Sequence, residues 1–215
     1  MSERETGDFL AGFWKSAQPF VVAGTLNSLA QTLVKLTAPG VPDIYQGTEF
    51  YDLSLVDPDN RRKVDFAARD KAMSDGRKVA EALPGWRDGA VKAKLTAAAL
   101  KARIASPTLF TTGRYLPLEV EGAKKDHVVA FARTDGEGRA AVTIVPRLAL
   151  QLLGEGATVP MLDPTGWGDT AVRLPSHLAG ARFDDILGER PVTGGATLRL
   201  SEVLATLPVA LLLAD

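Results

Sequence analysis

The spacing of the apolar residues changes near Ser106-Pro107, and this change limits the chain to a helical part followed by a β part. Before that point apolar side chains recur every three or four residues, which places them on one face of a helix. They are Leu26, Leu29, Leu33 and Leu36 in one segment, and Val91, Leu95, Ala98 and Ala102 in another. After it, short apolar runs are separated by Gly and Pro, which is typical of antiparallel strands. The clearest runs are HVVAFAR, AAVTIVP, ATLRL and PVALLLA. We therefore expect an α+β protein with a helical unit at 1–105 and an antiparallel β unit at 106–215.

One short apolar run interrupts the helical part. The segment VPDIYQG follows the Pro39-Gly40 turn, and it predicts a buried strand between two helices, with Tyr45 in the core. We expect Asp65 to cap the helix that follows the next loop, and Pro84-Gly85 to end that helix. In barrels that alternate strands and helices, the residues just beyond the carboxyl end of a strand lie at the active-site face.

A polar loop connects the end of this predicted strand to Arg62. Solvated loops commonly carry Asp, Asn and Arg, so its composition alone is compatible with a loop that has no function. However, an irregular segment of roughly 15 residues between ordered elements is uncommon unless it serves a function. We therefore take the loop as the candidate functional segment.

Composition and charge exclude several classes of partner. The chain has 25 basic and 26 acidic residues, so it offers no basic surface for nucleic acid or anionic lipid. It has no cysteine, its first residues lack the order of a secretory signal, and no apolar run approaches the roughly 18 residues of a membrane span. We expect a cytoplasmic protein without a cofactor. Its two histidines, His127 and His177, do not predict a transition-metal site, whereas calcium binding by Asp oxygens stays open.

The segment PGVPDIYQGTE is similar to the region of the eighth barrel strand in the α-amylase superfamily, glycoside hydrolase family 13, where the pattern is Gly-x-Pro-x-Ile-Tyr-x-Gly-x-Glu. The flanking sequences resemble the C-terminal part of the maltooligosyltrehalose synthase branch of that family. They are GTLNSLAQTLVKLTAPG, LSLVDPDNRRKVDF and, in the β part, GRYLPLEVEG, HVVAFAR and VPRL. Tyr51 and Lys63 depart from the family pattern, which usually has Trp and Pro at these positions.

The resemblance implies a helical remnant of a (β/α)8 barrel that contains its last strand, followed by an antiparallel β-sandwich domain. It also implies an isomerase reaction in trehalose biosynthesis, which converts the reducing-end α-1,4 linkage of a maltooligosaccharide to an α,α-1,1 linkage. The catalytic carboxylates of the family lie on earlier barrel strands, and none of them maps onto this chain. Because a retaining glycosyl transfer needs two carboxyl groups about 5 Å apart, we expect this chain to be inactive alone.

The resemblance further implies that the polar loop forms a wall that binds sugar hydroxyl groups in the complete enzyme. The expected substrate-binding residues are Gln46, Glu49, Asp57, Asp59, Asn60, Arg61 and Arg62. For Glu49, a salt bridge that braces the barrel mouth is the alternative role.

Two classes of function remain open. The chain is either a part of an intramolecular transglycosylase or a non-catalytic module that binds or scaffolds α-glucan through exposed aromatic side chains. For the second class, Trp167 is the candidate for stacking on sugar, whereas Trp14 in a helical run is expected in the core. The first class predicts a large exposed apolar surface on the first hundred or so residues, and self-association through it.

Overall fold

The computed structural model describes residues 3–54, 62–136 and 138–214, with side chains from residue 7 onward. Within these ranges the α-helices are α1 (Glu3–Thr37), α2 (Phe66–Ser74), α3 (Val79–Ala82), α4 (Ala90–Ala105), α5 (Pro107–Thr111) and α6 (Leu200–Val203). The strands are β1 (Arg114–Pro117), β2 (Val120–Glu121), β3 (Val128–Thr134), β4 (Ala140–Pro146), β5 (Ala171–Arg173), β6 (Arg182–Asp185), β7 (Arg190–Thr193), β8 (Thr197–Arg199) and β9 (Ala210–Ala214). A 3-10 helix, Leu83–Asp88, joins α3 to α4.

The helical faces that apolar spacing predicted are buried. The four leucines of α1, from Leu26 to Leu36, are at most 1% exposed. In α4, Val91, Leu95 and Ala102 are also buried, and Ala98 packs partly against the same core. The helical spacing therefore identified the surfaces on which these two helices pack.

The β part forms two antiparallel sheets. The larger sheet has six strands in the order β1-β3-β4-β9-β6-β7, and the smaller has the order β2-β5-β8. Of the predicted strand runs, HVVAFAR and AAVTIVP form β3 and β4, which pair in register from Val128 opposite Pro146 to Thr134 opposite Ala140. The run PVALLLA contains β9, and ATLRL contains β8 and then turns into α6.

The larger sheet is buried on both faces at its centre. Alternate residues of β4 point in opposite directions, as the two-residue period of a strand requires. Ala141 and Val145 join the core formed with the helices, whereas Val142 and Ile144 join a second core shared with the smaller sheet. The helices therefore cover one face of the larger sheet, and the smaller sheet covers the other.

The predicted strand VPDIYQG is not a strand in the structure. Residues 41–45 are extended and pair with no other strand in the described ranges. Val41 is 94% exposed and Tyr45 is 46% exposed, so the prediction of Tyr45 in a core is wrong. The physical reason is that a strand needs hydrogen-bonding neighbours, and the described part of the chain places none beside this segment.

Two further expectations differ from the structure. The helix capped by Asp65 ends at Ser74, before Gly76 at φ +78°, and a separate short helix precedes Pro84. Trp14 is 61% exposed, because α1 extends beyond the surface on which its leucines pack. None of the described helices combines the length and apolar character needed to cross a membrane.

Candidate functional site

A tight turn follows the extended segment and begins the candidate site. The main-chain N–H and the hydroxyl group of Thr48 both donate to the carbonyl oxygen of Tyr45, at 3.1 and 2.7 Å. Gly47 has φ +93°, a conformation that L-residues with a side chain rarely adopt. The glycine of the sequence pattern is therefore required by the backbone of this turn.

Arg69, in the first turn of α2, holds this turn against the helix. Its Nε lies 3.1 Å from Oε2 of Glu49, and its two terminal nitrogens donate to the carbonyl oxygens of Gly47, at 2.5 Å, and Asp65, at 2.9 Å. The same Oε2 of Glu49 accepts a hydrogen bond from the Gly47 N–H at 2.9 Å. The guanidinium group also lies over the ring of Phe50, 4.5 Å from its centroid. Glu49 therefore has the bracing position that was the alternative to a direct sugar contact.

A cavity of about 410 Å³ opens beside this turn. Gln46 and Arg62 line it, together with Asp52, Lys63 and Asp65. Gln46, Arg62 and Lys63 are exposed, and their side chains provide hydrogen-bond donors. The arrangement can bind a neutral polar ligand that both donates and accepts hydrogen bonds, such as a compound rich in hydroxyl groups.

The acidic side chains of the cavity take part in local hydrogen bonds. Asp52 Oδ1 accepts from the Ser54 hydroxyl and N–H, and these two bonds, with weaker attraction from Arg62 and Lys92, lower the pKa of Asp52. Asp65 Oδ1 accepts from the Ala68 N–H at 2.9 Å, which confirms Asp65 as the N-cap of α2. Both carboxylates therefore stabilise the local backbone.

Tyr51 forms the apolar base of the cavity. Its ring packs edge-on against Trp86 with centroids 6.2 Å apart, and Trp86 donates to the carbonyl oxygen of Thr158. Burial, with a smaller contribution from Asp88, raises the pKa of Tyr51. The hydroxyl group is buried without a hydrogen-bond partner in the described ranges. A buried hydroxyl group without a partner lowers the stability of the fold.

Two arginines fix the start of the extended segment by capping the carboxyl end of α1. Arg103 donates to the carbonyl oxygens of Leu36 and Gly40 at 2.8 and 3.1 Å. Arg133, which is 1% exposed, donates to the carbonyl oxygens of Thr37 and Gly113. Burial, and then the neighbouring Arg103, lower the pKa of Arg133. The β part thus contributes directly to the position of the segment that leads to the cavity.

A smaller cavity of about 220 Å³ lies between the extended segment and helices α1 and α4. Lys35 and Lys92 line it with Tyr45 and Asp43. Lys92 donates to the carbonyl oxygen of Phe50 at 3.0 Å, and burial, followed by repulsion from Lys35, lowers its pKa. Lys92 therefore holds the residue at the end of the turn from α4.

The structure brings some of the predicted site residues together. Gln46 and Arg62 share the larger cavity, and Glu49 lies behind it on Arg69. The other four, Asp57, Asp59, Asn60 and Arg61, lie outside the described residues. Arg69 was missed, although its position four residues after a predicted N-cap was a usable signal, because a first-turn side chain can reach back to the preceding loop.

In the described β part, Tyr115 is 44% exposed, whereas the other aromatic residues, including the stacking candidate Trp167, are buried. Trp167 is 2% exposed and belongs to the core between the two sheets, so the ring of this candidate is not available to stack on sugar. Ser176 and His177 lie in an exposed turn. In the described part of the chain no three His, Asp or Glu side chains group closely enough to hold a metal ion.

Comparisons with known proteins identify relatives of most of the chain. No family model matches it. It is 38% identical over 189 residues to a protein of Mycobacterium tuberculosis named as a maltooligosyl trehalose synthase. The aligned region covers 88% of this chain and 20% of that protein. The solved maltooligosyltrehalose synthase from Arthrobacter ramosus is 38% identical, with a TM-score of 0.71 over 91% of this chain and 23% of that one.

A third structure, titled maltooligosyl trehalose synthase, has a TM-score of 0.68 over 97% of this chain and 24% of its own. Its identity of 22% supports the fold alone. The chain thus spans about a fifth of the length of the relatives that it matches. Over most of its length, the chain is therefore similar in sequence and in fold to a part of maltooligosyltrehalose synthase.

Proposed function

We propose that this chain is the C-terminal part of an intramolecular transglycosylase of glycoside hydrolase family 13. The complete enzyme would convert the reducing-end α-1,4 linkage of a maltooligosaccharide to the α,α-1,1 linkage of trehalose. The observation that carries this proposal is the 38% identity, over 88% of the chain, to a protein named for that activity. On this proposal the helices and the extended segment 41–45 are the remnant of a (β/α)8 barrel.

The chain would supply a polar wall to the active site. In the cavity the Gln46 amide can both donate and accept hydrogen bonds, Arg62 can donate them and the Asp52 carboxylate can accept them. Such a wall would hold a released glucose near the covalent intermediate and restrict the entry of water. Asp57, Asp59, Asn60 and Arg61 belong to the same loop and are proposed to extend the wall. Glu49 and Arg69 would act as positioning residues that keep Gln46 in place.

The chain would not perform the chemical step by itself. A retaining glycosyl transfer needs a nucleophilic and a proton-transferring carboxyl group about 5 Å apart. In the described cavity Asp52 and Asp65 hydrogen-bond to local backbone N–H groups, and Glu49 is paired with Arg69. The catalytic carboxylates would come from the part of the barrel that lies earlier in the relatives.

Two enzymatic assays test this proposal. Purified chain should leave the reducing ends of maltopentaose unchanged. A chimera, in which this chain replaces the aligned 189-residue region of the Mycobacterium relative, should consume them. In the chimera, Gln46→Ala should lower kcat/KM by up to about tenfold and Arg62→Ala by about 10- to 100-fold, because hydrogen bonds are worth about 0.5–1.5 kcal/mol and those from charged groups about 1.5–3.

Matched controls use the same residue types outside the cavity. Gln31→Ala and Arg147→Ala alter exposed positions, and both should retain the kinetics of the chimera. Conversion of maltopentaose by the purified chain alone would disprove the fragment proposal. Unchanged kinetics for Gln46→Ala and Arg62→Ala would disprove the polar wall.

The alternative is a non-catalytic module that binds or scaffolds α-glucan. It predicts that the chain alone binds maltopentaose in a calorimetric titration. In the described β part Trp167 lies in the core, so the 44% exposed ring of Tyr115 is the aromatic surface that this part offers to a sugar. We place the protein in the cytoplasm, where the absence of cysteine is compatible with a reducing environment.

A further inference from the structure

The N-terminal half of α1 carries a wide apolar face that the described part of the chain leaves open to solvent. The large apolar side chains before Val22 are 40–63% exposed, whereas Val22 itself is fully buried. We call this set the α1 apolar face; it consists of Phe9, Leu10, Phe13, Trp14, Phe20 and Val21. Monomeric proteins rarely expose a contiguous apolar surface of this extent, and such a surface usually marks an interaction site.

The α1 apolar face is continuous and ordered. At about 100° per residue its six side chains fall within about 140° of the helix circumference. Phe9 stacks on Phe13 with ring centroids 6.4 Å apart, and Phe13 meets Trp14 edge-on at 5.9 Å. The charged residues Asp8 and Lys15 fall on the opposite side of the helix.

The N-terminal half of α1 has a low intrinsic helix propensity. It contains Gly7, Gly12 and Pro19, and glycine and proline are the residues least favourable to a helix interior. No atom lies within 4 Å of the position that a Cβ would take at Gly7 or Gly12. Most helices in proteins are stabilised by packing of an apolar face, so this half of α1 needs an occupant on that face.

We propose that the occupant is the α1 apolar face of a second copy of this chain. An aromatic side chain has about 150–250 Å² of surface, so at the observed exposed fractions the face leaves about 600 Å² of apolar area open to solvent in each copy. Two copies would bury about 1,200 Å² in total, the lower end of the range for stable specific interfaces. No charged residue lies within the face, so two identical faces meet without like-charge repulsion, as an isologous dimer requires. The fragment interpretation predicts self-association of this kind, whereas the pairing does not require the glycosyl-transfer chemistry itself.

The additional four fifths of the relatives' length is the competing occupant of this face. A chain that carried that length could cover the face internally and would then remain monomeric. The self-complementary area and the absence of charge within the face favour the second copy. The two occupants therefore differ in the mass that this chain has in solution.

Sedimentation equilibrium and tryptophan fluorescence test the pairing together. From about 1 to 100 µM, which brackets a micromolar Kd, the mass should rise to a plateau at twice the 22.8 kDa of one chain. Trp86 and Trp167 are 5% and 2% exposed, so the exposed Trp14 reports on the face. Its emission should shift to shorter wavelength with the same midpoint as the mass.

A matched pair of variants locates the interface. Phe13→Ser removes the central ring of the face, and Lys15→Ser places serine at an exposed position on the opposite side of the helix. Phe13→Ser should weaken dimerisation at least tenfold and keep the emission of Trp14 at long wavelength, whereas Lys15→Ser should behave as the parent. Phe20→Ser, at the other end of the face, should repeat the effect if Phe13→Ser does not fold. A monomer at all concentrations, growth in mass without a plateau, or equal dimerisation of the Phe13→Ser and Lys15→Ser variants would overturn the proposal.

Discussion

Replacement of Gly89 by alanine tests how tightly the candidate turn packs against α4. Gly89 has φ +79° and lies between the 3-10 helix and α4. A Cβ at this position would lie 2.6 Å from Cγ of Phe50 and 2.9 Å from its Cβ. The left-handed conformation costs an L-residue about 1–2 kcal/mol, and overpacking against Phe50 costs about 1–3 kcal/mol more. We therefore expect Gly89→Ala to lower the free energy of unfolding by about 2–5 kcal/mol.

Urea denaturation followed by circular dichroism measures this change, and Gly156→Ala is the matched control. Gly156 has φ +73° but no atom within 4 Å of its Cβ position, so its substitution should cost only the conformational term of about 1–2 kcal/mol. In the Phe50→Ala background, Gly89→Ala should cost less than it does in the parent, because the contacts with the ring are gone although the contact with the Cβ of residue 50 remains. Equal losses for Gly89→Ala and Gly156→Ala would show that Phe50 moves aside freely, and the reasoning about tight packing would fail.

Substitutions at four other residues test the contacts around the site and one buried acid. Asp65→Ala should lower the free energy of unfolding by about 0.5–2 kcal/mol, the usual cost of losing an N-cap. Asp65→Asn should retain most of the parent's stability, because Asn is also a good N-cap. Arg69→Gln should lower the free energy of unfolding by about 2–3 kcal/mol, because Arg69 binds three oxygen atoms. Glu49→Gln should lower it by about 1 kcal/mol, because the two side chains of this ion pair are 18% and 33% exposed and solvent weakens their attraction. Asp185→Asn should raise stability at pH 7, because burial raises the pKa of Asp185 and so disfavours its charged form. This gain should shrink as the pH falls through the raised pKa, where the parent side chain becomes neutral.

Each of these expectations has an outcome that contradicts it. An Asp65→Ala variant as stable as the parent would mean that the hydrogen bond to Ala68 adds nothing to α2. Equal effects of Arg69→Gln and Glu49→Gln would mean that the carbonyl contacts of Arg69 are unimportant. A gain for Asp185→Asn that stays constant from pH 7 down to the ordinary pKa of aspartate would show that the pKa of Asp185 is not raised.

The spacing of apolar residues predicted the buried helical faces and the central strands, because a helix or strand that packs on one face buries side chains at its own structural period. The leucines of α1 repeat at the helical period and are buried, and β3 and β4 combine apolar residues with a short turn that brings them together. The same reasoning failed for the tryptophans. Trp14 lies on an apolar face that is exposed, and Trp167 lies in a glycine-containing loop that the core covers. The sequence pattern shows which face is apolar but not whether another element reaches it.

The contacts that build the candidate site were harder to predict because they join distant parts of the chain. Arg133 in β3 caps α1 by a hydrogen bond to Thr37, and Trp86 reaches Thr158. The local sequence does not specify such partners, because every residue carries the main-chain carbonyl oxygen to which a buried arginine donates. Glu49 was identified as a candidate, but its role as a brace became visible only with Arg69 in place.

The extended segment from Val41 to Tyr45 shows what a strand requires beyond its own sequence. Its residues alternate between exposed and half-buried, and Ile44 packs against the helical core, so the local conformation and one contact face follow the predicted pattern. What is missing is a pair of neighbours, because main-chain N–H and C=O groups form a sheet only with another strand. Arg103 and Arg133 hold the start of the segment, and the turn after it is held by Arg69, so it is fixed at both ends without sheet pairing. A segment held in this way keeps its position through side-chain contacts alone, so its conformation does not depend on sheet pairing.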